Sequence, residues 1–243
     1  MHRNIKLEIE YDGTDFHGWQ VQPKLRTVQG DIQEKLKTIL RHEVNLIGAG
    51  RTDVGVHALG QVANFKTDNP LETESILEGL NGLLHHDVVI KKIQEADPDF
   101  HSRYGAASRL YQYRICRRRT ALLRRYAWEV LYSLNTDEMV KATENIEGEH
   151  DFSSFCVADS SKENNLCNVI RAAWQWDGDR LTFEIEANRF LHTMVRSLVG
   201  TLVEVARGYF SVADFVNIIK AKDRRKAGPT APARGLYLVE VKY

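Results

Sequence analysis

Four glycines fall within thirteen residues in the stretch Gly48-Ala49-Gly50-Arg51-Thr52-Asp53-Val54-Gly55-Val56-His57-Ala58-Leu59-Gly60. An apolar run, Val44 to Ile47, feeds in, and an alternating run, Gln61-Val62-Ala63-Asn64-Phe65, leads out. That pattern reads as strand, loop, strand, with the polar residues on the loop. Glycine there lets the backbone take positive φ or lie close against a ligand. A loop held between two strands is also a rigid mount for a reactive side chain. Two readings of the loop stand side by side. One is a tight hairpin pinned by a local ion pair, since turns are rich in Gly and Asp. The other is a reactive site: Arg51 can bind phosphate or hold a carboxylate ionised, and an ionised Asp53 can act as nucleophile or general base. The pattern is neither G-x-G-x-x-G opening a helix nor a P-loop.

The 243 residues are 43% hydrophobic and 27% charged, ordinary for a globular protein with a core. No apolar run approaches the roughly 20 residues that span a bilayer. Met1-His2-Arg3-Asn4 leads straight into a strand pattern, so no signal peptide is visible. Cys116, Cys156 and Cys167 lack metal-like spacing and fit reduced thiols in a cytoplasm. The formal net charge is zero but unevenly spread. Residues 1–104 hold 12 Lys and Arg against 16 Asp and Glu, and residues 105–243 hold 21 against 17. The second half carries the basic surface, which leaves RNA binding open.

In chain order, Ile5 to Tyr11 alternates as a half-buried strand, and Asp12-Gly13-Thr14 marks a turn. Thr27 reads as the N-cap of a helix with Val28, Ile32, Leu36, Ile39 and Leu40 at helical spacing. A second helix is expected over 74–84 and a strand over Val88–Ile93. The first hundred residues thus read β, α, β, β, α, β, a compact α+β unit with helices covering one face of a sheet. Residues 98–108 read as a linker. An aromatic-rich strand follows over 109–115, and then Arg117-Arg118-Arg119 and Arg124-Arg125, with Tyr126 and Trp128 close behind. Those arginines are either a solvated face or a phosphate-binding surface; their dominance over lysine favours the second.

Further on, a helix is expected over 136–146, and Gly148-Glu149-His150-Asp151-Phe152 reads as a loop. Strands at 169–176 and 181–187 join through Asp177-Gly178-Asp179, a hairpin signal. Residues 190–205 carry one apolar helical stripe, Ser211 caps another helix through 220, and 236–241 closes the chain as a strand. The expected fold class is α+β: two similar mixed α/β halves, antiparallel sheets with helices on one face, and an active-site cleft between them. The expected domains are 1–104, carrying the loop, and 105–243, basic and RNA-binding.

These residues carry a family resemblance. Gly50-Arg51-Thr52-Asp53-Val54-Gly55-Val56-His57-Ala58 resembles the signature of the TruA family of tRNA pseudouridine synthases. Tyr11-Asp12-Gly13-Thr14-Asp15-Phe16-His17-Gly18-Trp19-Gln20 resembles its N-terminal block, and Thr27-Val28-Gln29 the start of its first helix. Residues 108–113 are similar to its central aromatic strand, and 148–152 to its GEHDF block. Asn188-Arg189-Phe190-Leu191-His192-Thr193-Met194-Val195-Arg196 is similar to its C-terminal helix motif, and 230–238 to its closing block. The blocks span nearly the whole chain in the family's order.

The resemblance implies an enzyme that isomerises uridine to pseudouridine at positions 38 to 40 of the tRNA anticodon stem-loop. It implies no cofactor and no obligatory metal, and a homodimer with tRNA as partner; a cytoplasmic location and no membrane partner are the expectations from the thiols and the apolar runs above. Asp53 falls at the catalytic aspartate, Tyr111 at the tyrosine that stacks on the target base, Arg196 at the basic residue paired with the aspartate, and Leu236 at an apolar pocket position. The chemistry suits these types. The C1′–N1 bond must break, the uracil must turn, and C5 must rejoin C1′, so the base must leave the stem at a cost of a few kcal/mol. Stacking on Tyr111 returns about 1–3 kcal/mol. An ionised Asp53 can attack C1′ or C6 or abstract the 2′ proton, and Arg51 can hold the flanking phosphate or help extrude the base. Candidate RNA-binding residues are Arg109, Arg114, Arg117, Arg118, Arg119, Arg124 and Arg125.

Structural alternatives exist for each. Without the resemblance Tyr111 reads first as a core aromatic of its strand, and Arg196, which interrupts an apolar helix face, calls for a buried partner that a structural ion pair would supply. His57, His85, His86, His101, His150 and His192 form no metal spacing. The chain departs from the family pattern at Leu84-His85-His86, where Leu-Pro is usual, and in Thr120–Arg125, which lacks a proline. Both departures are compatible with a paralogue of shifted site specificity. A non-catalytic tRNA-binding chaperone and a metal-dependent hydrolase are the other classes considered.

Overall fold

The computed structural model describes residues 3–157 and 164–243; Met1 and His2, part of the N-terminal reading above, lie outside the described residues. The chain divides into two units, Met1–Ala107 with Tyr237–Tyr243, and Ser108–Leu236. The closing strand is therefore counted mostly with the first unit.

In the first unit, β1 (Arg3–Tyr11) pairs antiparallel with β3 (His57–Thr67) on one side and with β4 (Val88–Ala96) on the other. The two-residue β2 (Ile47–Gly48) pairs with β3. From Tyr237 on, β10 (Leu236–Lys242) runs parallel to β3, with Tyr237 opposite His57. Alternation sets the faces: Ile5, Leu7 and Ile9 are fully buried while Glu10 is exposed. Each such buried aliphatic contributes about 1.5–3 kcal/mol. Helix α1 (Val28–Leu40) begins at Thr27, whose side chain accepts the Gly30 N–H. It buries Val28, Ile32, Leu36 and Leu40, one stripe at helical spacing, and packs against α2 (Thr73–Leu83).

The second unit orders its strands β5 (Ser108–Cys116), β9 (Arg180–Ala187), β8 (Leu166–Asp177) and β7 (Gly148–Asp151), each antiparallel to the next. The short β6 (Trp128–Glu129) lies parallel to β5. Helices α3 (Thr136–Thr143), α4 (Met194–Ala206) and α5 (Val212–Ala221) pack on one another. Helix α5 opens with a capping box between Ser211 and Asp214. The fold is thus α+β with mostly antiparallel strands, as expected.

Three local readings change. Gly148–Asp151 is a strand, because β8 supplies its partners: Gly148 sits opposite Val169 and Asp151 opposite Leu166. The stripe at 190–205 becomes helix only at Met194, since Thr193 takes a left-handed backbone with φ 64°. The run into the glycine loop pairs only at Ile47–Gly48.

Candidate active site

The loop between β2 and β3 is held by hydrogen bonds from both flanks. Ala49 N–H donates to the Val62 carbonyl at 2.7 Å, and the Gln61 amide donates to the Gly50 carbonyl at 2.9 Å. Val56 N–H donates to the Asp53 carbonyl at 3.2 Å, closing a turn over Val54 and Gly55, where Gly55 has φ 76°. Asp53 is half-buried at this turn, between buried Thr52 and a Val54 that is 56% exposed. Arg51 is exposed.

Residues 11–19 form the wall behind the loop. The Tyr11 hydroxyl lies 2.7 Å from Thr52 Oγ1, and Trp19 N–H donates to the Thr52 carbonyl at 3.1 Å. Gly18, at φ 85°, comes so close that a Cβ there would sit 2.7 Å from the Thr52 carbonyl oxygen. A Cβ on Gly48 would sit 2.6 Å from the Trp19 indole. This revises the role of the loop glycines: Gly55 supplies positive φ, whereas Gly48 makes room for a protein ring rather than for a ligand. Behind the start of β3, buried His57 stacks on Tyr237 with ring centroids 4.8 Å apart. Its Nδ1 accepts the Gly13 N–H at 3.1 Å. Burial pushes the Tyr11 phenol well above its usual range, against the hydrogen bonds of Thr52 and Gln61, so the group stays neutral.

The second unit holds the other candidates. Tyr111 of β5 is buried and meets Phe190 edge-on, centroids 5.0 Å apart at 80°. Both readings of Tyr111 thus keep their footing: the ring is packed in the core, and it also lies against the motif that precedes α4. Arg196, half-buried in the first turn of α4, donates from Nε to the Ala231 carbonyl at 2.8 Å, and Ala231 N–H donates back to the Arg196 carbonyl at 3.0 Å. Nearby, the Tyr113 hydroxyl donates to the Pro232 carbonyl at 2.7 Å. Burial raises the Tyr113 phenol strongly, with the Arg196 and Arg234 charges opposing. Residues 231–235 are therefore tied to α4 and β5, and they deliver Leu236, buried, at the head of β10.

Among the basic candidates, Arg117, Arg118, Arg119, Arg124 and Arg125 are exposed in the segment joining β5 to β6, with Leu122 84% exposed among them. Arg118 Nε lies 3.5 Å from Asp179 Oδ2, a loose surface pair. Arg124 turns back to the Ala121 carbonyl at 2.7 Å. Arg109 and Arg114 are half-buried on β5, and Arg109 Nη1 donates to the Asn188 carbonyl at 2.8 Å, a structural task. All three cysteines are free and buried, and burial pushes the Cys167 thiol up to about 11. Among the described residues no group of three or more His, Cys, Asp or Glu side chains could hold a metal ion, and no helix is long and apolar enough to cross a membrane.

The structure thus places Asp53 and Arg51 on one anchored loop of the first unit, and Tyr111, Arg196, Leu236 and the arginines in the second. Sequence reasoning misses Tyr11, Thr52 and Phe190. The signal for Thr52 is its place between Arg51 and Asp53; Tyr11 closes an alternating strand and looks like any other core position.

A family model described as tRNA pseudouridine synthase matches residues 8–105 and 142–243. The tRNA pseudouridine synthase A of Caldicellulosiruptor bescii (strain ATCC BAA-1888 / DSM 6725 / KCTC 15123 / Z-1320) is 46% identical, over 99% of this chain and 100% of that one. Those of Thermoanaerobacter sp. (strain X514) and Geobacillus kaustophilus (strain HTA426) are each 44% identical. The first alignment covers 99% of this chain and 100% of the relative, the second 100% and 95%. The chain belongs to the tRNA pseudouridine synthase family.

Proposed function

We propose that this chain converts uridine to pseudouridine in the anticodon stem-loop of tRNA, at positions 38 to 40, without a cofactor and as a cytoplasmic homodimer. The observation that carries the reading is the mounting of Asp53: a half-buried carboxylate on a loop anchored on both flanks, beside the exposed Arg51, inside the stretch matched by the family. Full-length relatives named tRNA pseudouridine synthase A support the substrate class.

In the proposed reaction Asp53 acts as nucleophile on the flipped nucleotide, and the bond its carboxylate forms is broken again before the product leaves, so the carboxylate is regenerated. The C1′–N1 bond breaks, the uracil turns, and C5 takes the place of N1 on C1′. C5 gives up its proton and N1 gains one, so substrate and product are isomers and no oxidant is needed. Arg51 serves the flanking phosphate. Tyr111 is assigned the stacking, worth about 1–3 kcal/mol. Arg196 supplies positive charge, and Leu236 keeps water from the intermediate. The exposed arginines at 117–119 and 124–125 give the tRNA backbone its counter-charges.

The test is tritium release from tRNA carrying C5-tritiated uridine. Wild-type protein is expected to release tritium and form pseudouridine in the anticodon arm, and Asp53→Ala to do neither. A wild-type protein that binds tRNA without product would overturn the reading in favour of a tRNA-binding protein.

A further inference from the structure

We infer that Tyr11 is a positioning residue for this reaction: through Thr52 its phenol fixes the stretch of backbone that carries Asp53. The inference rests on the role given to Asp53 above.

Tyr11 and Thr52 are 3% and 7% exposed, and their hydroxyl oxygens are 2.7 Å apart. Thr52 is joined directly to Asp53, so this contact acts one peptide bond from the carboxylate. Thr52 is held a second time, by Trp19 N–H on its carbonyl. With the Thr52 side chain and carbonyl both fixed, and the Asp53 carbonyl engaged by Val56 N–H, the backbone on either side of Asp53 is fixed. A buried tyrosine needs some partner for its hydroxyl. Any backbone carbonyl of the β1 environment would satisfy that need, yet this one reaches 41 positions along the chain to the residue beside Asp53.

The contact is also indifferent to pH over the working range, because burial keeps the phenol protonated. Loss of the contact should therefore lower the rate without reshaping its pH profile. Misplacing a reacting group by about 1 Å costs on the order of a hundredfold.

The test uses the full chain and tRNA turnover, with Asp53→Ala as a parallel arm. Tyr11→Phe keeps the ring and its place 6.2 Å from Trp19, and removes only the oxygen. Thr52→Val keeps the shape and removes the hydroxyl; Thr52→Ser keeps the hydroxyl. Tyr11→Phe and Thr52→Val are each expected to lower kcat by about ten- to a hundredfold. The KM for tRNA is expected to stay within about twofold and the pH profile to keep its shape. The double variant should be no slower than the worse single, and Thr52→Ser should recover most of the rate. Wild-type kcat in both single variants, with Asp53→Ala inactive, overturns the inference and leaves the role of Asp53 intact. Additive losses that follow the melting temperature also overturn it. An active Asp53→Ala removes the reading on which it rests.

Discussion

Arg26 and Asp87 form a two-armed ion pair, with Nη1 donating to Oδ2 at 2.6 Å and Nη2 to Oδ1 at 2.9 Å. The guanidinium also bonds Asp31 and lies 4.1 Å from the centre of the Phe16 ring. The same two residues brace the wall behind the loop through their backbones: the Arg26 carbonyl accepts the His17 N–H, and the Asp87 carbonyl accepts the Asp12 N–H. Burial pulls the Asp87 carboxyl upward, but its bonds to Arg26 and His85 outweigh that and hold it below its ordinary value.

A pH dependence follows from that depressed value. The pair's stabilisation is fully present above the ordinary carboxylate range and is lost as pH falls through the depressed value in the folded protein. Asp87→Asn should lower stability at pH 7 by about 1 kcal/mol, the half-exposed Arg26 keeping the figure small. Thermal melts from pH 7 down to pH 3 should show the variant and wild type converging. A difference that is the same at every pH would assign the loss to packing instead.

The contact between Trp19 and Gly48 makes a second expectation. Gly48→Ala places a methyl 2.6 Å from the indole, and such overpacking costs about 1–3 kcal/mol. Gly18→Ala should cost more, since its φ of 85° adds backbone strain to a 2.7 Å contact with the Thr52 oxygen. Both should lower tRNA turnover further than they lower tRNA binding, because Gly18 abuts the Thr52 carbonyl and Trp19 N–H bonds to it, one residue from Asp53. Full turnover in a stable Gly18→Ala protein would show that the wall does not govern the loop.

At the surface, Arg117→Gln and Arg119→Gln should each weaken tRNA binding and reduce the slope of log affinity against log salt by about 1. Arg118→Gln should do less, because Asp179 already faces it at 3.5 Å. Equilibrium binding between about 50 and 200 mM salt resolves these slopes. Three unchanged slopes would return the arginines to a solvated face.

Arg196→Lys keeps the positive charge and discards the planar donor that meets the Ala231 carbonyl at 2.8 Å. Ala231 is 1% exposed, so its carbonyl has little access to water as a substitute. The variant should lose stability by about 1–3 kcal/mol and turn over tRNA more slowly. Wild-type behaviour by melting and by turnover would mean that charge alone matters at this position.

Much of the framework is legible in the sequence. Thr27 and Ser211 cap the helices assigned to them, and Asp177-Gly178-Asp179 marks the hairpin between β8 and β9, because these signals act over a few residues. Gly148–Asp151 misleads, since its composition disfavours strand and only pairing with a distant β8 makes it one. In the site, Arg51 and Asp53 stand out because a glycine-rich loop frames them. The Tyr11–Thr52 contact is invisible in one dimension because its partners lie far apart in sequence. Arg196 and Leu236 are singled out by the family resemblance, not by periodicity.

The parallel pairing of Tyr237 with His57 has a consequence for the order in which this protein can be made. The strand that leaves the loop carrying Asp53 finds one of its neighbours only after the 129-residue second unit, Ser108–Leu236, has been synthesised. At the ribosome the first unit must wait, with the start of β3 at His57 and Ala58 lacking its β10 partner, while the second emerges. Closing so distant a contact is slow and exposes a strand edge in the interval. The loop that carries Asp53 therefore gains its full support late, and a chain stopped short of residue 237 would carry the signature without the strand that completes its mount.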